Sequence, residues 1–119
     1  MRPRREVSRK KIWWRAVQNK FYSFLGLAMK AGKIVSGEVG CESTVKGKKA
    51  KLIIVASDAS ENTKTKFTNS AKFYGVDIIE YGTKAELGYA VGKAERSVIA
   101  VTDEGFSAKL IQMYKNGHN

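Results

Sequence analysis

Cysteine, histidine and proline occur once each among the 119 residues of this chain, and each scarcity removes a class of explanation. The lone Cys41 cannot close an internal disulfide, so stability must come from a packed core, and a reducing compartment is expected. One cysteine and one histidine cannot form a cluster at metal-ligand spacing. That histidine, His118, is the penultimate residue, where chain ends fray, which leaves no imidazole for acid–base catalysis. Cys41 falls in a predicted helix with no histidine near it in sequence, and reads as a small buried hydrophobe rather than a nucleophile. No apolar run approaches the roughly 18 residues that span a bilayer. The basic start is not followed by an apolar segment of signal-peptide type, because Lys20, Tyr22 and Ser23 interrupt it. The turn after Val55, Ala56-Ser-Asp-Ala-Ser60, lacks the glycines of a phosphate-cradling loop. Acids stand at predicted strand ends (Asp58, Asp103 and Glu104), where open α/β sheets bind ligands, but each also fits a helix cap. The expectation is a cytoplasmic protein with no catalytic residue, no metal and no cofactor.

Acidic residues are scarce too, but only at one end. Residues 1–51 hold fourteen lysines and arginines against three acids (Glu6, Glu38 and Glu42), whereas residues 52–119 hold eight of each sign. The net charge of +11 therefore sits entirely in the first part. Charge placed for solubility would be scattered; charge gathered in one region points to a polyanion, most simply a nucleic acid. A cationic tail on an ordinary domain is the competing account, because residues 1–20 alone carry +7. The lysines at 30, 33, 46, 48, 49 and 51 fall within the part expected to fold, and they favour a nucleic-acid surface over a tail alone.

With 43% hydrophobic and 28% charged residues the composition is that of a globular chain with room for one domain. Residues 1–18 read as a basic extension with too little apolar surface to order itself, and residues 19–119 as a single domain. Trp13 and Trp14 are the exception in that extension, available to pack on the domain or to stack on bases beside Lys10, Lys11 and Arg15.

From Asn19 onward Phe21, Phe24, Leu25, Ala28 and Met29 recur at helical spacing, with Gly32 placed to end the helix in a left-handed turn. Ile34-Val35 is a short strand, and a second helix starts at Ser36-Gly37 and ends near Gly47. Leu52-Ile-Ile-Val-Ala56 is a continuous apolar run, the mark of a strand covered on both faces. Asp58 with Glu61, and Thr83 with Glu86, are capping-box patterns opening two more helices, which end at Gly75 and Gly92; Asp103 opens the last, with Phe106, Leu110, Met113 and Tyr114 inward. Residues 76–81 and 97–101 are strands between them. The order αβαβαβαβα predicts an α/β fold: a three-layer α/β/α sandwich around a central mixed, largely parallel four-stranded sheet.

Three segments in this order carry a resemblance. Ala31-Gly-Lys-Ile-Val-Ser-Gly37, Ala50-Lys-Leu-Ile-Ile-Val-Ala-Ser-Asp58 and Glu86-Leu-Gly-Tyr-Ala-Val-Gly92 resemble the kink-turn-binding ribosomal protein superfamily, which includes archaeal and eukaryotic large-subunit proteins and snoRNP kink-turn binders. Val98-Ile-Ala-Val-Thr-Asp-Glu-Gly-Phe-Ser-Ala-Lys-Leu110 is similar to the ending of its small bacterial YlxQ-type members. The resemblance spans residues 19–114. It implies an α/β/α sandwich that binds structured RNA without catalysis, at a kink-turn or in rRNA, with ribosomal or ribonucleoprotein partners. It also implies RNA contact at the start of the second helix, by Ser36, Gly37, Glu38, Val39 and Gly40. The loop 91–96 after the fourth helix would meet a flipped-out nucleotide through Val91, Gly92, Lys93 and Arg96. Lys30, Lys33, Lys46 and Lys48 are expected to flank Gly37 as phosphate contacts.

At one place the chain departs from the pattern. Kink-turn binders carry Asn or Lys two residues after the glycine and Glu or Gln three after, side chains that read the guanines of sheared G·A pairs. Here those positions are Val39 and Gly40, which offer no hydrogen bond to a base edge. Losing one bidentate base contact costs roughly 1–3 kcal/mol, so binding is expected to rest on phosphates and shape. The alternative reading is a protein-interaction module that keeps the fold but has lost kink-turn recognition. A small nucleotide-binding hydrolase, using acids at strand ends, has the least support.

Overall fold

The structure is a computed structural model that describes residues 19–117; the expectations for residues 1–18, with Trp13 and Trp14, and for His118 lie outside the described residues. Among the described residues nine elements alternate as the periodicity implies: α1 (Lys20–Lys30), β1 (Ile34–Ser36), α2 (Glu38–Lys46), β2 (Leu52–Val55), α3 (Glu61–Tyr74), β3 (Asp77–Glu80), α4 (Lys84–Ala90), β4 (Val98–Val101) and α5 (Glu104–Asn116). Every residue of β2 and β4 is buried, which requires helices on both faces of the sheet. On one side α2 packs along α3; on the other α1 packs against α4 and α5. Phe67, Leu25, Ile53, Ile54, Leu87 and Leu110 lie at the centre of the core without solvent exposure.

The sheet is mixed, as expected, but it is not largely parallel. Its order is β1-β4-β2-β3, and only β2 and β3 form a parallel ladder; β4 lies between β1 and β2 and runs against both. The cause is the short connection before β4. The seven residues of α4 turn away from the top of β3, and the loop 91–96 folds straight back, so the chain re-enters the sheet from the end it had left. The pairings define two ends. Ser36, Val55, Glu80 and Val98 mark one, hereafter the Gly37 end; Ile34, Leu52, Asp77 and Val101 mark the other, the Lys33 end.

Helix boundaries follow side-chain caps. Asn19 accepts from the Tyr22 amide, Asp103 from the Phe106 amide at 2.8 Å, and Thr83 with Glu86 completes a reciprocal capping box. Gly75 ends α3 in the left-handed region at φ 69°. The Asp58 expectation is corrected: Ser60 caps α3, and Asp58 instead accepts from the Lys84 amide at 2.8 Å, serving the first turn of α4. On α5, Leu110 is buried and Phe106 and Met113 are half-buried against the core, but Tyr114 is exposed rather than inward.

α2 closes at its C-cap Gly47, as expected. The chain turns left-handed not at Gly47 (φ −79°) but one residue later, at Lys48, with φ 60°. The Lys48 and Lys49 amides then satisfy the Val45 and Thr44 carbonyls, the two bonds of a Schellman turn. A lysine there crowds its own Cβ, a strain of roughly 1 kcal/mol that glycine would not carry. Lys48→Gly is therefore expected to raise stability by about 0.5–1 kcal/mol, read as a shift in the urea midpoint at constant m-value.

Candidate nucleic-acid interface

At the Gly37 end the chain passes from β1 into α2 through a glycine held at φ 93°, ψ 154°. That conformation is strained for any L side chain, and glycine leaves no side-chain cap on the first-turn amides of α2. Those amides and the positive end of the helix dipole suit an anion, as at other helix N-termini. The Gly37 amide itself is engaged, donating to the Val98 carbonyl at 3.0 Å, which fixes the turn against β4.

The loop 91–96 is brought to the same place. The Arg96 amide donates to the Lys84 carbonyl, and its Nε donates to Ser36 Oγ at 3.1 Å, so loop and helix start form one surface. Gly92 (φ 72°) and Lys93 project into solvent, but Val91 is only 3% exposed and belongs to the core. Its side chain is therefore unavailable to a nucleotide, a correction to the expected contact set; the residue anchors the loop instead. Gly88, which the sequence reading passed over, sets the loop's path. A Cβ at that position would lie 1.7 Å from the Ala94 carbonyl oxygen, so the loop can fold over α4 only because the residue is glycine. A glycine inside a short helix, unfavourable by propensity, was the available signal.

Glu38 faces away from this surface. Its Oε2 accepts from Thr63 Oγ1 at 2.7 Å and its Oε1 lies 3.7 Å from Lys66 Nζ, contacts that lock α2 to α3. Lys66 also reaches Glu42, at 3.3 Å, and this hydrogen bond holds the Glu42 carboxyl below the usual carboxylate range. Cys41 is fully buried beneath α2, where its thiol donates to the Val35 carbonyl at 3.3 Å; burial pushes its pKa up to about 12, as an inert core thiol requires.

The four flanking lysines are not where they were expected. Lys33 precedes β1 and its carbonyl accepts from the Thr102 amide, while Lys46 ends α2 and pairs with Glu42 at 3.6 Å. The three residues of β1 span about 10 Å and the nine of α2 about 13 Å, so Lys30, Lys33, Lys46 and Lys48 all belong to the Lys33 end. The structure thus joins Ser36, Gly37, Val39, Gly92, Lys93 and Arg96, and separates them from the lysines.

Comparison with known proteins gives this arrangement its lineage. Residues 19–111 match the profile of the ribosomal protein L7Ae/L30e/S12e/Gadd45 family. The chain belongs to that family. It is 40% identical over 94 residues to the RNA-binding protein YlxQ of Bacillus subtilis, covering 79% of this chain and 94% of YlxQ. It is 38% identical over 87 residues to the large ribosomal subunit protein eL30B of Schizosaccharomyces pombe, covering 71% and 74% of the two chains. A solved structure of a protein of unknown function from Bacillus halodurans superimposes with a TM-score of 0.77 at 38% identity, over 80% of this chain and 96% of that one.

For a member of the L7Ae/L30e family, the two unusual positions have distinct physical settings. Val39 is 84% exposed at the tip of α2, and no packing requirement holds a valine there. Gly40 is different: a Cβ would meet Val35 Cγ1 at 2.8 Å, so any side chain there must displace Val35 where α2 packs on β1. Gly40→Ala sets a helix-propensity gain of about 1 kcal/mol against a steric penalty of roughly 1–3 kcal/mol. The expected result is a small net destabilisation that largely disappears in a Val35→Ala background. A double-mutant cycle on urea melts should give a coupling of about 1 kcal/mol.

Proposed function

We propose that this chain is a non-catalytic RNA-binding protein whose Gly37 end meets structured RNA, kink-turn-like or ribosomal, in the cytoplasm. The observation that carries the reading is the 3.1 Å bond from Arg96 to Ser36, which couples the loop 91–96 to an uncapped helix N-terminus in one surface. The relatives named as RNA-binding and ribosomal proteins support it. On this reading the α2 amides take a phosphate, Lys93 and Arg96 border a displaced nucleotide, and Val39 offers an apolar contact where a hydrogen bond to a base would otherwise form. The lysines and arginines of residues 1–18 would add phosphate contacts.

The test is a salt-titrated binding assay of the full chain on a standard kink-turn RNA and on the same RNA with its G·A pairs replaced. Val39→Glu puts a carboxylate at the tip of α2 without touching the core, and is expected to weaken binding to the intact RNA at least tenfold. Unchanged affinity in both Val39→Glu and Arg96→Gln would reject this end as the RNA surface. The 84% exposure of Val39 also favours a second reading, an apolar contact to a protein partner. A partner that survives nuclease treatment and is lost in Val39→Glu would identify it.

A further inference from the structure

We infer that the Lys33 end is a second nucleic-acid face, one that takes the phosphates of a single strand on Lys33, Lys46, Lys48, Lys49 and Lys51 and stacks a base on Phe73. It lies at the opposite end of the sheet from the Gly37 surface and stands independently of it.

The first observation is where the domain's lysines cluster. The described residues hold fifteen lysines and arginines and ten acids, and six of those fifteen (Lys30, Lys33, Lys46, Lys48, Lys49 and Lys51) lie at the Lys33 end. Backbone pairing gathers these residues. Lys33 and Lys51 flank the end of β4, the Lys33 carbonyl accepting from the Thr102 amide and the Lys51 amide donating to the Val101 carbonyl at 2.7 Å. Lys48 and Lys49 form the turn that closes α2 over the same edge. All five lysines are exposed. The acids at this end are fewer: Asp77 starts β3, Asp103 is bound to the Phe106 amide, Glu104 opens α5, and Glu42 pairs with Lys46 and Lys66. Three helix C-termini, of α1, α2 and α3, also point this way, and their dipoles account for some of the lysines, such as Lys30 and Lys46 in last turns. They do not account for Lys48, held at φ 60° where glycine would be unstrained, nor for Lys51, beyond any helix.

The second observation is Phe73, a large aromatic that is 80% exposed and packs T-shaped with Tyr74, ring centroids 4.8 Å apart. It follows Lys66 by two helical turns on the same stripe of α3, and Lys66 reaches across to Glu38 and Glu42 of α2. Continued along that flank, the stripe carries Phe73 about 10 Å further toward the Lys33 end, where α2 closes into the turn at Lys48 and Lys49. Lysines beside an open aromatic face are what a single strand requires: counterion release along the backbone and a platform for a base.

The test uses the full chain, 12-nucleotide oligo-U and oligo-dT, and anisotropy across a salt series; binding of either sugar satisfies the inference. Phe73→Ala is expected to weaken oligonucleotide binding roughly tenfold with an unchanged melting temperature, and Phe73→Trp to restore it. Lys48→Gln, Lys49→Gln and Lys51→Gln combined should flatten the salt slope by about 2, at roughly 0.7 for each lost phosphate contact. Lys48→Gly should melt higher yet bind more weakly, a pairing of signs that a merely structural lysine would not give. Arg96→Gln should leave oligonucleotide binding intact, so failure of the Gly37 surface is read separately. Binding by Phe73→Ala within twofold of the unaltered chain, or a salt slope unmoved by the lysine changes, overturns the inference.

Discussion

Replacing Gly88 with alanine is expected to destabilise the protein by about 3 kcal/mol, although helix propensity alone predicts a gain of about 1 kcal/mol. The sign is decided by the loop. The new methyl carbon would lie 1.7 Å from the Ala94 carbonyl oxygen, 2.6 Å from its carbonyl carbon and 3.0 Å from the Glu95 Cα. These are backbone atoms, so no rotamer change relieves the overlap, and the loop 91–96 must lift from α4. Lifting it strains the Lys93 amide bond to the Gly88 carbonyl (2.8 Å) and the Arg96 amide bond to the Lys84 carbonyl (3.0 Å). For a domain of this size the melting temperature should fall by roughly 12–24 °C, measured by calorimetry. The Arg96 contact to Ser36 moves with the loop, so binding at the Gly37 end should weaken in the same variant. A melting temperature equal to or above that of the unaltered chain would show that the loop is free to rearrange at no cost.

The Gly88 case shows where sequence patterns stop. Helical spacing and apolar runs placed all nine elements in order, because burial periodicity is written locally; Leu52 to Val55 and Val98 to Val101 are buried throughout, as continuous hydrophobic runs imply. The strand directions of β1, β2 and β3 also followed from alternation. The reversal of β4 did not, since it depends on a loop doubling back over a short helix, a three-dimensional event with a single glycine as its trace. Charge was legible in amount but not in place. Lys33 and Gly37 are four residues apart in sequence yet occupy opposite ends of a strand, so proximity along the chain grouped lysines with a surface they do not flank. Gly40 was read as a lost side chain, whereas the contact it leaves open is to Val35, visible only once α2 packs on β1.

Removing the buried carboxylate of Glu86 is the other change with a large expected effect. Glu86 is 6% exposed, and its Oε1 accepts from the Tyr22 hydroxyl at 2.7 Å and from the Thr83 amide at 3.2 Å. One side chain thus completes the capping box of α4 and ties that helix to α1. Glu86→Ala deletes both bonds and opens space under Tyr22, for an expected loss of about 3 kcal/mol. Glu86→Gln keeps an acceptor oxygen and the volume, and is expected to cost about 1 kcal/mol. Tyr22→Phe removes the bond from the other side at roughly 1.5–3 kcal/mol, as for hydrogen bonds to charged groups. Because both changes delete the same contact, Tyr22→Phe with Glu86→Ala should fall short of the sum of the single effects by about 1 kcal/mol or more in urea melts. Strict additivity would mean that the Tyr22–Glu86 bond contributes nothing to the tie between α1 and α4. The consequence reaches the surface: α4 holds Arg96 through the Lys84 carbonyl, so a loosened first turn should also weaken binding at the Gly37 end while leaving the Lys33 end unchanged.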